Sequence, residues 1–143
     1  MIRWGIVGLG NMANQFANAI KEVDNAKLVA ISSYDNTKLD LFASKYNINK
    51  KLKFSNYVSL AKCNEIDAIY ISTLNNTHAD VISLFAKNKK NILCEKPFCI
   101  NLEEGKKIKK LVEDNNIKFF EAIAYLSHPQ TNEILDLIQN NEI

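Results

Sequence analysis

A doubly wound α/β domain, a parallel sheet with helices on both faces, is the fold class this sequence predicts. Three observations carry the prediction. Strand-like and helix-like segments alternate from end to end, which calls for crossover connections and a parallel sheet. The strand-like segments lack clean polar alternation, as strands buried on both sides do. Of the four glycines, Gly5, Gly8 and Gly10 crowd around the first strand-to-helix turn.

Each element follows in order. Ile2 to Val7 reads as a buried strand, and Met12, Phe16, Ile20 and Val23 follow at helical spacing. Leu28 to Ile31 is a second short apolar run. Leu39, Phe42, Ala43 and Tyr46 mark the next helix, with Asp35 placed to cap it. A weak strand is expected at Lys53 to Ser55 and a firm one at Ala68 to Ile71. A helix then runs through Ile82, Phe85 and Ala86, followed by a strand at Ile92 to Cys94. Asn101 caps a further helix, whose first turn carries Glu103 and Glu104 where carboxylates favour the helix dipole. Its apolar stripe is Ile108, Leu111 and Val112. Phe119 to Ile123 reads as a last strand, and Ile134, Leu137 and Ile138 as a last helix with Pro129 near its start.

Composition narrows the function classes. A chain of 143 residues is the size of one domain, and 47% hydrophobic residues suffice for a core. A net charge of +2 gives no electrostatic case for nucleic acid or membrane binding. The cluster Lys106, Lys107, Lys109 and Lys110 reads as the wet face of a helix. No segment approaches the ~18 consecutive apolar residues of a membrane span. The first residues form a strand-like run followed at once by glycines, which is not the pattern of a signal peptide. Cys63, Cys94 and Cys99 are odd in number and lack CxxC spacing, so neither a disulfide framework nor a zinc site is expected. Reduced thiols and a cytoplasmic location are the expectation. The sequon Asn75-Asn76-Thr77 is read as coincidence in that setting. His78 and His128, the two histidines, make a poor metal pair, so no metal site is expected; each is open to a reading as a cap or packed polar residue.

Gly8-Leu9-Gly10-Asn11-Met12-Ala13 reads G-x-G-x-x-A, directly after the first strand and before the first helix. That context is what a dinucleotide-binding turn of the Rossmann type demands. Gly8 permits the tight turn, Gly10 lets the backbone approach a pyrophosphate, and Ala13 keeps helix close to strand. The helix N-terminus, with Asn11 and Met12 in its first turn, offers free N–H groups to the phosphates. The alternative is an ordinary strand-to-helix turn. An NAD fingerprint places an acid at the end of the second strand; here Ser32-Ser33-Tyr34 stand there. The missing acid leans toward NADP over NAD. The single arginine, Arg3, lies in the first strand, so Ser33, Lys38 and backbone N–H groups would have to receive a 2′-phosphate.

Cys94-Glu95-Lys96-Pro97 falls at the carboxyl end of a strand, where open α/β sheets place their ligands. Pro97 restricts the backbone of Lys96, and a lysine held there is able to exchange a proton with a hydroxyl under oxidation. A surface Lys-Pro turn is the alternative.

Four motifs in order, G-x-G-x-x-A at Gly8, Ser-Thr-Leu-Asn-Asn-Thr-His at Ser72, Cys-Glu-Lys-Pro at Cys94 and Glu-Ala-Ile-Ala-Tyr-Leu-Ser-His-Pro-Gln at Glu121, resemble the glucose–fructose oxidoreductase / inositol dehydrogenase / MocA family. The last looks most like its dihydrodiol dehydrogenase members. The resemblance implies a Rossmann domain over residues 1–121, with residues 122–143 beginning the connection to a second α/β domain. It implies NAD(P)-dependent hydride transfer to or from a sugar, cyclitol or related secondary alcohol or aldehyde. By the match, Lys96 is the catalytic lysine. Glu95 with Thr73, Leu74, Asn75 and His78 lines the nicotinamide side, Ser33, Tyr34 and Lys38 fall where the adenosine ribose is read, and Tyr125 and His128 lie near the substrate.

The sequence departs from the family pattern at Leu74, where proline is usual, and at Tyr34 and Leu126, where arginine is usual. Asn88-Lys89 replaces a helix-ending glycine, and Asn88 is expected to take the left-handed cap. The sequence ends at Ile143, where the family enters its second domain. The 143 residues alone are therefore expected to turn over little. Apolar surface around Phe119, Phe120, Ile134 and Ile138 is expected to be exposed, favouring homo-oligomers or association through the sheet and helix surface. A non-catalytic NAD(P)-binding module, or a fragment needing a separate substrate domain, is the rival reading.

Overall fold

The computed structural model describes residues 1–143. Six parallel strands form one sheet: β1 (Ile2–Val7), β2 (Ala26–Ser32), β3 (Lys53–Phe54), β4 (Ala68–Ile71), β5 (Asn91–Cys94) and β6 (Phe119–Glu121). Their order is β3-β2-β1-β4-β5-β6, so the strand order reverses beside β1 and opens a crevice at the carboxyl ends of β1 and β4. The helices are α1 (Asn11–Ala19), α2 (Asn36–Lys45), α3 (Tyr57–Ala61), α4 (His78–Lys87), α5 (Leu102–Asn115) and α6 (Pro129–Gln139). This is the doubly wound Rossmann arrangement that the alternation of segments predicts.

Side chains sort to the two faces by the strand period of two. Ile6, Ile31 and Tyr70 meet Ala13 and Ala17 of α1 and Leu39 and Phe42 of α2. Val7, Ala30, Ile69, Ile71 and Ile92 meet Leu60 of α3, Ile82 and Phe85 of α4 and Ile108 of α5. Burying a side chain such as Phe85, which has no exposed surface, contributes about 1.5–3 kcal/mol. No helix is long and apolar enough to cross a membrane.

The caps expected at Asp35 and Asn101 are present, and Asn56, which the sequence reading did not single out, caps α3 in the same way. The side chains of Asp35, Asn56 and Asn101 each accept from the backbone N–H three residues on. Four expectations need correction. The first helix ends at Ala19 and tightens into a 3-10 turn at Ile20–Glu22, so Val23 lies outside it. The left-handed residue after α4 is Lys89 (φ 56°), not Asn88, which closes the helix with φ −94° while its amide donates to the Leu84 carbonyl. The last strand stops at Glu121, and Ala124–Ser127 forms a 3-10 turn. Phe119 faces the covered side, edge-on to Phe98 at 5.4 Å, and does not share the exposure of Phe120.

The two faces are not equally covered. On the side of α1 and α2, the register row Tyr70–Leu93–Phe120 runs across β4, β5 and β6 with only α1 beside it. It floors a cleft of about 1050 Å³. The helix α6 has no buried side chain, and Ile134, Leu135 and Ile138 lie exposed along it.

Candidate functional site

The turn from β1 to α1 divides its work between two glycines. Gly8 has φ +83°, and a Cβ there would lie 2.5 Å from the Ser72 carbonyl oxygen. Only glycine fits so close to the β4 backbone. The Ser72 hydroxyl donates to the Gly8 carbonyl at 2.7 Å, tying the ends of β1 and β4 together. Gly10 is the N-cap of α1, and a Cβ there would meet nothing within 4 Å. No side chain caps this helix end, and no acid stands in its first turn. The free N–H groups of Asn11 and Met12, both exposed, are left to a ligand. An uncapped helix N-terminus facing open space across Gly10 fits the diphosphate of a dinucleotide.

At the end of β2, Ser33 is buried and its hydroxyl oxygen accepts from Asp35 N at 3.1 Å. Tyr34 is 66% exposed and its ring lies 4.4 Å from that of Tyr57, tilted by 46°. Burial, with Tyr34 adding to it, raises the Tyr57 hydroxyl above its ordinary pKa. Asp35 is engaged as the cap of α2, and the Lys38 ammonium sits 3.9 Å from its second oxygen. Just below, Ser32 Oγ is a buried polar atom with no partner.

Across the crevice, Thr73, Leu74 and Asn75 follow β4, with Leu74 and Asn75 exposed. His78 does not line the cleft. It is wholly buried, its Nδ1 lies 2.8 Å from the Pro97 carbonyl oxygen, and its Nε2 lies 3.2 Å from that of Thr73. It ties the loop after β4 to the loop after β5. That loop begins at Glu95, half-buried, and continues through Lys96, exposed, to Pro97 across a cis peptide bond. The Tyr70 hydroxyl donates to Glu95 Oε1 at 2.5 Å, and Glu121 Oε1 accepts from Phe98 N at 3.0 Å. Lys96, Glu95, Met12 and Tyr125 line one cleft with Phe16 and Phe120. Burial, then the charges of Glu95 and Glu121, push the Cys94 thiol up to about 12, so it is no nucleophile here. His128 is set apart: it caps α6, with Nδ1 accepting from Gln130 N. No three His, Cys, Asp or Glu side chains converge as a metal site would require.

With this geometry in place, likeness to known proteins becomes informative. Residues 2–123 match the family model described as the oxidoreductase family with NAD-binding Rossmann fold, Gfo/Idh/MocA. The chain belongs to this family. It is 30% identical to the trans-1,2-dihydrobenzene-1,2-diol dehydrogenase of Danio rerio over 99% of this chain and 42% of that protein. It is 28% identical to the scyllo-inositol 2-dehydrogenase (NADP(+)) of Bacillus subtilis, over 94% of this chain and 40% of that one. The crystal structure of scyllo-inositol dehydrogenase from Lactobacillus casei, with NAD(H) and scyllo-inositol bound, superposes with a TM-score of 0.91 at 23% identity. It covers all of this chain and 42% of the other, and at that identity the likeness is one of fold. The chain thus spans about two fifths of the relatives it matches.

The sequence reading missed Tyr70, Phe16 and Glu121 as site residues. Tyr70 and Phe16 read as core positions in a strand and a helix. Only the register Tyr70–Leu93 and the place of α1 bring them to the cleft. Glu121 sits in a quoted motif, but its bond to Phe98 spans 23 residues and has no local signal.

Proposed function

We propose that this chain is the cofactor-binding part of an NAD(P)-dependent oxidoreductase that acts on a sugar, a cyclitol or a related ring bearing a secondary alcohol or its carbonyl. The observation that carries the reading is one cleft holding both the first turn of an uncapped α1, through Met12, and the exposed Lys96. A bound nicotinamide supplies the hydride acceptor or donor. The N–H groups of Asn11 and Met12 hold the diphosphate where it passes over Gly10, with Ser33, Tyr34 and Lys38 at the adenosine ribose. Thr73, Leu74, Asn75 and Glu95 border the nicotinamide, while His78 acts through the loops it ties. As the alcohol carbon gives up hydride, its O–H proton passes to the Lys96 amine; in reduction the Lys96 ammonium returns it. Tyr125 on the cleft rim faces the substrate. His128, engaged as a cap, takes part only if that cap opens.

NADP is preferred over NAD in this reading. Ser33 stands where an acid would repel a 2′-phosphate, and Asp35 is occupied by α2 and Lys38. The printed names of relatives include both an NADP(+) enzyme and an NAD(H) complex, so the relatives leave the choice to this chain's own residues. The exposed Phe120, with the exposed stripe of α6, supports association of the chain with a covering surface.

Fluorescence titration with NADH and NADPH at low salt tests binding and preference. Gly10→Val fills the space meant for the diphosphate without a clash in the protein, so equal binding by variant and parent would remove the dinucleotide reading. A clear preference for NADH would reverse the cofactor choice. The proton role is tested with the chain joined to the substrate-binding part that relatives carry, over sugars, inositols and cyclic diols. Lys96→Ala should slow turnover by about 10²-fold or more; full activity ends the claim for Lys96.

A further inference from the structure

We propose that the Tyr70 hydroxyl is a positioning group for Lys96: it holds the Glu95 carboxylate and so keeps that carboxylate from pairing with the ammonium beside it. The inference rests on the proton role of Lys96 argued above. It concerns a buried residue of the cleft floor that acts through Glu95.

Tyr70 is fixed before it acts. It lies within β4, 2% exposed, and its ring stacks on Phe16 at 4.1 Å with planes 16° apart. Phe16 is held in turn by the edge of Trp4 at 5.2 Å. The side-chain torsions that aim the hydroxyl are therefore set by packing. That hydroxyl donates to Glu95 Oε1 at 2.5 Å, the one hydrogen bond the Glu95 side chain makes. Burial, reinforced by the Glu95 charge, drives the Tyr70 hydroxyl pKa far above its ordinary value. It remains a donor throughout the pH range in which enzymes work.

Glu95 and Lys96 are consecutive and line the same cleft. Lys96 nevertheless has no carboxylate within 4 Å, whereas Lys38, Lys53, Lys106, Lys109 and Arg3 each have one. A charge-assisted hydrogen bond from a fixed, buried donor outcompetes an ion pair exposed to water. The other titratable groups near Lys96 have neighbours of their own or stand at the rim. Glu121, from β6, accepts from Phe98 N. His78, from α4, has the Pro97 carbonyl oxygen 2.8 Å from Nδ1 and the Thr73 carbonyl oxygen 3.2 Å from Nε2. Tyr125 stands on the rim. Glu95 is thus the carboxylate whose direction decides the charge environment of Lys96. A nearby carboxylate stabilises an ammonium, and the bond to Tyr70 turns the Glu95 carboxylate to the floor of the cleft.

The test reads the lysine itself and needs neither cofactor nor substrate. The 143-residue chain is labelled with [ε-13C]lysine, the Lys96 resonance is assigned with Lys96→Arg, and its titration is followed by NMR in parent, Tyr70→Phe, Glu95→Gln and the double variant. Tyr70→Phe removes one oxygen and keeps the stacked ring. It should raise the Lys96 midpoint by about half a pH unit or more, the effect of one carboxylate at ~4 Å in water. The double variant should cancel that rise. Glu95→Gln alone should move the midpoint by less than about 0.3 of a pH unit, because in the parent the charge is already turned away. Three results would overturn the proposal: a folded Tyr70→Phe with an unmoved midpoint, a rise that survives in the double variant, or a large fall in Glu95→Gln. The last holds even if Tyr70→Phe does not fold. Full turnover by Lys96→Ala would refute the catalytic role of Lys96 separately, leaving this titration unaffected.

Discussion

A methyl group added at Gly8 and one added at Gly10 should have opposite consequences. At Gly8 the backbone is left-handed (φ +83°), and the new carbon would lie 2.5 Å from the Ser72 carbonyl oxygen and 2.7 Å from Thr73 N. Both obstacles are main chain immediately after the central strand β4, which cannot step aside as a side chain tip can. The left-handed conformation costs about 1–2 kcal/mol, and overpacking about 1–3 kcal/mol more. A loss of this size is a large share of a domain's typical ~5–15 kcal/mol. At Gly10 the backbone is extended (φ −98°) and the carbon meets nothing. Alanine there should be neutral or stabilising by up to about 1 kcal/mol through the unfolded chain. Urea unfolding followed by circular dichroism separates the two: the midpoint of Gly8→Ala should drop by about 1–2 M, and that of Gly10→Ala should hold. NADPH titration should invert the order of harm, with Gly10→Ala binding about tenfold or more weakly while stable. If Gly10→Ala unfolds early, or Gly8→Ala costs less than about 1 kcal/mol, the division of labour assigned to this turn is wrong.

Three further outcomes follow from the geometry. His78→Leu removes the ring that ties the part-buried Thr73 and Pro97 carbonyls, and should cost about 1–3 kcal/mol in urea unfolding; an unchanged midpoint would mean that the tie between the two loops is idle. The Arg3 guanidinium, donating to Asp67 at 2.7 Å, holds the Asp67 carboxyl down at about 2. A lowered carboxyl stabilises the fold above its unfolded pKa near 4 and loses that contribution as pH falls toward 2, so Arg3→Met should flatten the stability profile in that window. Finally, the chain should self-associate with rising concentration by light scattering, and Phe120→Glu should reduce this; a parent that stays monomeric would show that Phe120 and the α6 stripe need no cover.

Most strands are legible because each is a short apolar run bounded by polar or glycine residues, as Ala68 to Ile71 shows; β3, only Lys53–Phe54, is not such a run. The turn at Gly8 also stands out, since a scarce residue is concentrated there. The helix α3 was not legible: Tyr57 to Ala61 is barely one turn, too short for any periodicity to register. The choice between Asn88 and Lys89 turned on one residue of phase, because Asn88 used its amide to close the helix and passed the left-handed position onward. Within the site, Gly8, Gly10, Glu95 and Lys96 lie where spacing along the chain can point to them. The burial of His78 and the aim of Tyr70 depend on which strand neighbours which, and pairing across 20 or so residues leaves no mark in a local pattern.

His78 grips only main chain, the carbonyls of Thr73 and Pro97, and never reads the side chains of the segments it joins. Residues on those segments can therefore be exchanged without loosening the joint. Leu74, standing where proline is usual, is such an exchange: its carbonyl accepts from Thr77 N and Thr77 Oγ1 at 2.9 and 2.7 Å, bonds that any residue at this position can accept. The arrangement separates the frame from the surface it displays. Selection is free to redecorate the rim of the cleft for a different molecule while the spacing between the two loops is inherited intact.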